Sequence, residues 1–166
     1  PVRGQGVLSR YPILEDSVIR PYAFYQQRVL LDVDGQEIVV YNVHISNPFA
    51  GSFVARHNDM SDLLARVNAE TLPVIIGGDF NLTEHAADYA RFSDHYVDAY
   101  RQASRGFGWT FAPSSRSCVR NLLVCQLARI DYVFHDEAIT ALEAEVWSSS
   151  ANSDHYPVWV RLALPQ

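Results

Sequence analysis

The chain has 166 residues, enough for one domain that buries roughly 70% of its unfolded surface. Its composition, 48% hydrophobic and 19% charged, is that of a soluble globular protein, and no run of about 18 apolar residues spans a bilayer. With 13 Lys and Arg against 19 Asp and Glu, the net charge of −6 excludes a broad cationic surface for gripping a phosphate backbone. It does not exclude phosphoester chemistry, because a bound divalent cation can supply local positive charge.

The chain opens at Pro1 without a Met, and strand-like material follows almost at once, so we expect a fragment or processed product. Residues Gly6 to Ile13 read as a short strand ending in a Pro-directed loop that runs to Phe24, interrupted by Pro12 and Pro21. Gln27 to Val33 and Glu37 to Ser46 are β-rich and joined by Asp34-Gly35, a strong hairpin signal. The second run turns polar at its end, with Asn42 and His44.

From Phe53 to Glu70 the spacing of Phe53, His57, Met60, Leu64 and Val67 predicts an amphipathic helix. It leads into Val74-Ile75-Ile76-Gly77-Gly78-Asp79-Phe80-Asn81, a buried strand with polar groups at its carboxyl end. Strand, helix and strand form a right-handed crossover that favours parallel pairing. Two readings fit the strand end: an Asp/Asn/Gly turn, or a carboxylate and an amide presented together. Thr83 reads as the cap of a short helix starting near Glu84.

A helix within Tyr96 to Ala103 and a short strand at Trp109-Thr110-Phe111 are expected next. Cys118 and Cys125, with six residues between them, fit a short disulfide or two free thiols but no metal site. Strands follow at Ala128 to Phe134, Ile139 to Trp147 and Val158 to Leu164. The loop before the last contains Ser153-Asp154-His155-Tyr156-Pro157. No repeat, low-complexity tract or linker divides the chain, so residues 1–166 are read as one domain, incomplete at its amino terminus.

Four strand ends thus carry groups suited to phosphate or metal chemistry: His44, then Asp79 with Asn81, then Asp131, then Asp154 with His155. Each alone has a structural reading; Asp131, for example, could pair with Arg129. Together they make an inventory for metal-assisted phosphoester hydrolysis, because carboxylates select hard cations and an Asp-held His can act as base or phosphate contact.

Leu8-Ser9-Arg10-Tyr11-Pro12, Asn42-Val43-His44, Gly78-Asp79-Phe80-Asn81, Arg129-Ile130-Asp131-Tyr132 and Ser153-Asp154-His155 resemble, in this order, motifs of the endonuclease/exonuclease/phosphatase superfamily. That superfamily includes deoxyribonucleases, abasic-site endonucleases, sphingomyelinases and inositol polyphosphate 5-phosphatases. The resemblance implies a four-layer α/β sandwich of two packed mixed sheets and a phosphoesterase using Mg²⁺ or Mn²⁺. By motif, His44 contacts the scissile phosphate or serves as acid, Asp79 orients the attacking water and Asn81 holds a phosphate oxygen. Asp131 orients His155, the second phosphate-contacting or base-like His, and Asp154 lies at the metal.

The resemblance also has a gap. The family's principal metal-binding Glu, and an Asn strand before it, fall upstream of Pro1, and Glu15, Glu37 and Glu84 are poorly placed to replace that Glu. Gln27 is aligned with a Glu that orients the first His in deoxyribonuclease-like members. The substrate is a phosphate ester, whether nucleic acid, phospholipid head group or small metabolite. Tyr22, Phe24, Phe107, Trp109 and Phe111 lie where they contact a lipid or base, or else cover the core edge. A bare sheet edge predicts a homodimer or strand exchange. A non-catalytic binding or scaffold module that kept the sandwich is the alternative reading.

Overall fold

The computed structural model describes residues 5–20, 25–47, 53–111 and 127–165. The Cys118–Cys125 loop and the aromatic residues Tyr22 and Phe24 lie outside them. The fold is built outward from the hairpin of β2 (Gln26–Val33) and β3 (Gln36–His44), which pair antiparallel. Asp34 and Gly35 both take positive φ, 55° and 92°, as a two-residue hairpin turn demands, and Gly35 N–H donates to Asp32 Oδ1 at 2.7 Å.

Helix α1 (Phe53–Val67) then returns the chain to β4 (Val74–Asp79), parallel to β3 as expected. The buried stripe of α1 is Met60, Leu63 and Val67, whereas Phe53 and His57 are exposed and Leu64 is partly buried. Buried Asp59 also lies on this helix, where its carboxylate accepts from the Ser46 N–H and hydroxyl. The inward face is thus set by Leu63 and by a polar anchor, not by the apolar spacing alone.

Further along come α2 (Ala87–Ser93), the short β5 (Val97–Asp98), α3 (Ala99–Ala103), β6 (Asp131–His135), β7 (Thr140–Val146) and β8 (Val158–Ala163). With β1 (Ile13–Ile19), the first sheet has the order β1-β2-β3-β4-β6-β5, and β7 pairs with β8 in a second sheet. The large sheet is mixed; the second is antiparallel among the described residues, where a mixed one was expected. The helices and two sheets bear out the α/β sandwich. Its core joins Val39, Tyr41, Val43 and Ile76 with Met60, Leu63 and Val67 of α1 and with a cluster of aromatic rings. In that cluster Phe80 meets Phe92, Tyr132 and Phe134 edge-on at 5.7, 5.6 and 5.3 Å.

Three local expectations are corrected. Residues 13–19 are strand, not loop: β1 is an exposed edge strand held by charged cross-strand partners, with Glu15 3.0 Å from Arg28 and Gln27 donating to Asp16 at 2.9 Å. Pro12 sits just before it and needs no N–H; its carbonyl accepts from Asp32 N–H at 3.0 Å. Thr83 caps no helix. Its carbonyl closes a turn to Ala86, and α2 begins at Ala87, because the Glu84 side chain is drawn to Arg101 and Arg129 instead. Residues 109–111 form isolated bridges from Phe111 to Ala128 and His155 instead of a strand.

Under β2, Arg28 grips Glu70 through two hydrogen bonds of 2.6 and 2.9 Å, and the Tyr41 hydroxyl donates to the same carboxylate at 2.7 Å. The Arg28 bond holds the Glu70 carboxyl below its ordinary pKa, so its stabilisation is present above the unfolded value and fades as pH falls through the folded one. Glu70→Gln is expected to lower stability by about 1–2 kcal/mol at pH 7. That deficit shrinks below about pH 4, as compared in urea denaturation at the two pH values.

Candidate active site

β4 is hydrogen-bonded on both sides, and the two registers put one residue of each strand in a row: His44 opposite Asp79 in β3, and Asp79 opposite Asp131 in β6. Side chains at matched positions of neighbouring strands leave the same face, so three strand ends present their polar groups together. The close approach of β3 and β4 depends on Gly78, whose φ is 145°. A Cβ there would lie 2.0 Å from the Val43 carbonyl oxygen.

Past the strand end, Asn81 takes a left-handed φ of 50°, and its backbone N–H donates to Asp79 Oδ1 at 2.8 Å. Its amide nitrogen donates to Asp79 Oδ2 and to the Ile45 carbonyl, each at 2.9 Å. Both amide protons therefore fasten the carboxylate to the end of β3. His44 Nε2 stands 3.6 Å from Asp79 Oδ2, an ion-pair separation longer than a hydrogen bond.

His155 arrives from the last loop. Its Nδ1 lies 2.9 and 3.1 Å from the two oxygens of Asp131, so Nε2 is the ring nitrogen that takes no part in that pairing. Phe111 bridges to it through the backbone and meets its ring edge-on at 5.1 Å. Together Gly78, Asp131, Ser153, His155 and Tyr156 line an open pocket of about 400 Å³. Asp154 is exposed beside His155.

The charges are uneven. Burial, then the neighbouring Asp131 carboxylate, push the Asp79 carboxyl up to about 6 against the opposing Asn81 bonds. The Asp131 hydrogen bond raises His155 above its ordinary value, whereas burial and the charge of His155 lower His44. The two imidazoles are thus driven apart: His155 toward the cation, His44 toward the neutral ring.

Asp79, Asp131 and His155 offer ligand atoms that lie within 4.8 Å of one another. Two carboxylates facing each other, with no Arg or Lys paired to either among the described residues, suit a hard divalent cation. Asp154 lies outside that set. Glu15 and Glu84 are engaged elsewhere, with Arg28 and with Arg101 and Arg129, and Gln27 faces Asp16 instead of His44.

Arg129 does not pair with Asp131. It is buried with Asp98 at 2.6 Å and Glu84 at 2.8 Å, its guanidinium 4.6 Å from the Tyr132 ring centre. The Tyr132 hydroxyl donates to the carbonyls of Arg129 and Leu82 at 2.7 and 3.1 Å, which locks the backbone on either side of the site. Sequence reasoning reaches neither this brace nor Thr110 as a site neighbour, and of the aromatics it singles out Phe111 is the one that meets His155. The one local signal is a hydroxyl residue set between Trp109 and Phe111, where burial leaves few ways to satisfy it. Phe107 and Trp109 are exposed and stacked on each other at 4.8 Å.

A family model described as the endonuclease/exonuclease/phosphatase family matches residues 2–155. The chain belongs to that family. A UPF0294 protein of Vibrio cholerae is 34% identical over 131 residues, which cover 79% of this chain and 42% of that protein. The chain therefore spans less than half the length of the curated relatives it matches.

Among solved structures, an endonuclease/exonuclease/phosphatase from Beutenbergia cavernae superposes with a TM-score of 0.76 at 23% identity, over 95% of this chain and 46% of that one. A mannosyl-6-phosphatase of Bacteroides thetaiotaomicron gives 0.74 at 18% identity, over 93% and 67%. At these identities the family's shared fold is what the likeness carries. Members of that family are hydrolases acting on phosphoester bonds.

Gly78→Ala is expected to lower stability by about 3 kcal/mol or more, since strain and a backbone clash coincide. Urea unfolding monitored by circular dichroism measures it, and an unchanged midpoint would contradict the tight β3–β4 approach.

Proposed function

We propose that residues 1–166 form part of a single catalytic domain of a divalent-metal-dependent phosphoesterase, which hydrolyses a phosphodiester or phosphomonoester by activated water. The observation that carries this reading is the aligned row of His44, Asp79 and Asp131, with His155 hydrogen-bonded to Asp131 at the same strand ends. Asp79 orients the attacking water and, with its carboxyl pushed up to about 6, takes a proton more readily than an ordinary carboxylate. His155, drawn toward the cation by the Asp131 hydrogen bond, donates from Nε2 to a phosphoryl oxygen. His44, held toward the neutral form, contacts the scissile phosphate from the opposite side. Asn81 secures Asp79, and on substrate binding its amide N–H exchanges the Ile45 carbonyl for a phosphate oxygen.

The residues present fit a hard cation, and Asp79 and Asp131, with Asp154 at the rim, would hold Mg²⁺ or Mn²⁺ here. When bound, such an ion neutralises charge on the phosphate and polarises its oxygens. The substrate bears a phosphate ester on a nucleic acid, a phospholipid head group or a small metabolite, and the net charge of −6 favours the last two. A non-catalytic binding module is favoured by one observation: Glu15 and Glu84 are both committed to arginines away from the site.

The test is hydrolysis of bis-p-nitrophenyl phosphate and p-nitrophenyl phosphate by the full-length protein with Mg²⁺, Mn²⁺ or chelator. Turnover that chelation abolishes, and that falls about 10³-fold in His155→Ala and Asp79→Asn without loss of fold, is expected. Metal-independent or unaltered rates would sink the site assignment, and no turnover together with no metal uptake by calorimetry would select the binding module. The outer edge of β1, unpaired among the described residues, belongs to the same reading as a homodimer contact of residues 1–166. Sedimentation should then show a dimer that Val18→Lys dissociates, and a monomer at all concentrations would remove that contact.

A further inference from the structure

One buried residue outside the row described above ties the Asp131–His155 pair together. Thr110 is fully buried, and its hydroxyl oxygen accepts from two successive backbone N–H groups, those of Ile130 and Asp131, each at 3.1 Å. Both lone pairs of that oxygen are thereby used on the strand that carries Asp131. The Thr110 carbonyl accepts from the N–H of Tyr156 at 2.6 Å, on the residue following His155. Thr110 N–H and Phe111 N–H in turn both donate to the Ala128 carbonyl at 2.9 Å.

Three segments that are distant in sequence, 109–111, 128–131 and 155–156, therefore meet at one residue. Neither carboxylate nor imidazole touches its side chain. Asp131 is fixed through its own amide and His155 through its neighbour's, so the separation of 2.9 Å between Asp131 Oδ2 and His155 Nδ1 is set by bonds that converge on Thr110. Buried hydrogen-bond partners of this kind typically change activity by about 10–100-fold when removed.

We infer that Thr110 is the positioning residue of the Asp131–His155 pair, acting through the backbone of both partners and not on the substrate. The inference rests on the phosphoesterase reading for its kinetic consequence, but its structural part stands without it. Loss of the hydroxyl lets Asp131 shift against His155. The misplaced His155 costs most where charge develops on the phosphoryl oxygen in the transition state, so kcat falls and KM changes little.

The experiment compares Thr110→Val, which keeps the shape and loses the hydroxyl, with Thr110→Ser, which keeps the hydroxyl, in the full-length protein. With bis-p-nitrophenyl phosphate and Mn²⁺, kcat is expected to drop about 10–100-fold in Thr110→Val with KM within about threefold, and to return to within about threefold in Thr110→Ser. In a His155→Ala background Thr110→Val should add nothing further. Thr110→Ala, which leaves room for a water, replaces the valine variant if that one does not fold.

A second readout does not use activity. The His155 Nδ1 proton, assigned by its loss in His155→Gln, should give a downfield signal in the proton NMR spectrum of wild type and Thr110→Ser that disappears in Thr110→Val. A folded Thr110→Val that keeps kcat, keeps the signal, or loses the same factor in the His155→Ala background would overturn the inference. Wild-type protein without turnover would instead count against the phosphoesterase reading, and the NMR signal alone would then decide the role of Thr110.

Discussion

The pairing of β4 on both of its edges constrains everything else in this molecule. On one side it runs parallel to β3 and on the other antiparallel to β6, so the ends of three strands are held level by backbone hydrogen bonds instead of by the side chains they carry. A slip of one residue in either ladder would send Asp79 to the opposite face from His44 or Asp131. Gly78 removes the one atom that would push β3 and β4 apart, at the position just before the carboxylate. The polar cluster is thus a consequence of register, and the register is enforced by a hydrophobic core of Val39, Tyr41, Val43, Ile76 and the rings around Phe80.

Around that frame the protein spends its strongest polar contacts on holding backbone rather than on the pocket itself. Arg129 with Asp98 and Glu84, and the Tyr132 hydroxyl between two carbonyls, brace the chain entering β6. Asn81 commits its amide to Asp79 and Ile45. Among the described residues neither Asp79 nor Asp131 is paired to an Arg or Lys, and burial with the neighbouring Asp131 charge pushes the Asp79 carboxyl up to about 6. Such a group is stabilised by whatever positive charge enters the pocket.

The parts of this arrangement that sequence makes visible are the local ones. Asp34-Gly35 needs only two adjacent residues to define its turn, and the crossover from β3 through α1 to β4 follows from periodicities within about forty residues. The residue types at the strand ends are equally plain, but their mutual distance is not, since no local pattern states which strands become neighbours. β1 is illegible for a related reason: its charged residues resemble a loop until Arg28 and Gln27 of β2 reach diagonally across to Glu15 and Asp16. The inward face of α1 depends on Ser46 bonding Asp59, and the role of Thr110 on partners twenty and more residues downstream.

The distribution of aromatic rings has an optical consequence. All three tryptophans, Trp109, Trp147 and Trp159, are 37–52% exposed, while the interior rings are Phe80, Phe92, Tyr132, Phe134 and their neighbours. Indole emission from the native protein will already sit toward the red, and unfolding will move it little. The buried, mutually tilted tyrosine and phenylalanine rings give the near-ultraviolet circular dichroism band instead, and that band follows the packing beneath the strand ends. Trp159, next to Val158 of the pocket lining, is the indole that adjoins the pocket wall in sequence, so its quenching reads the rim while the dichroism reads the core.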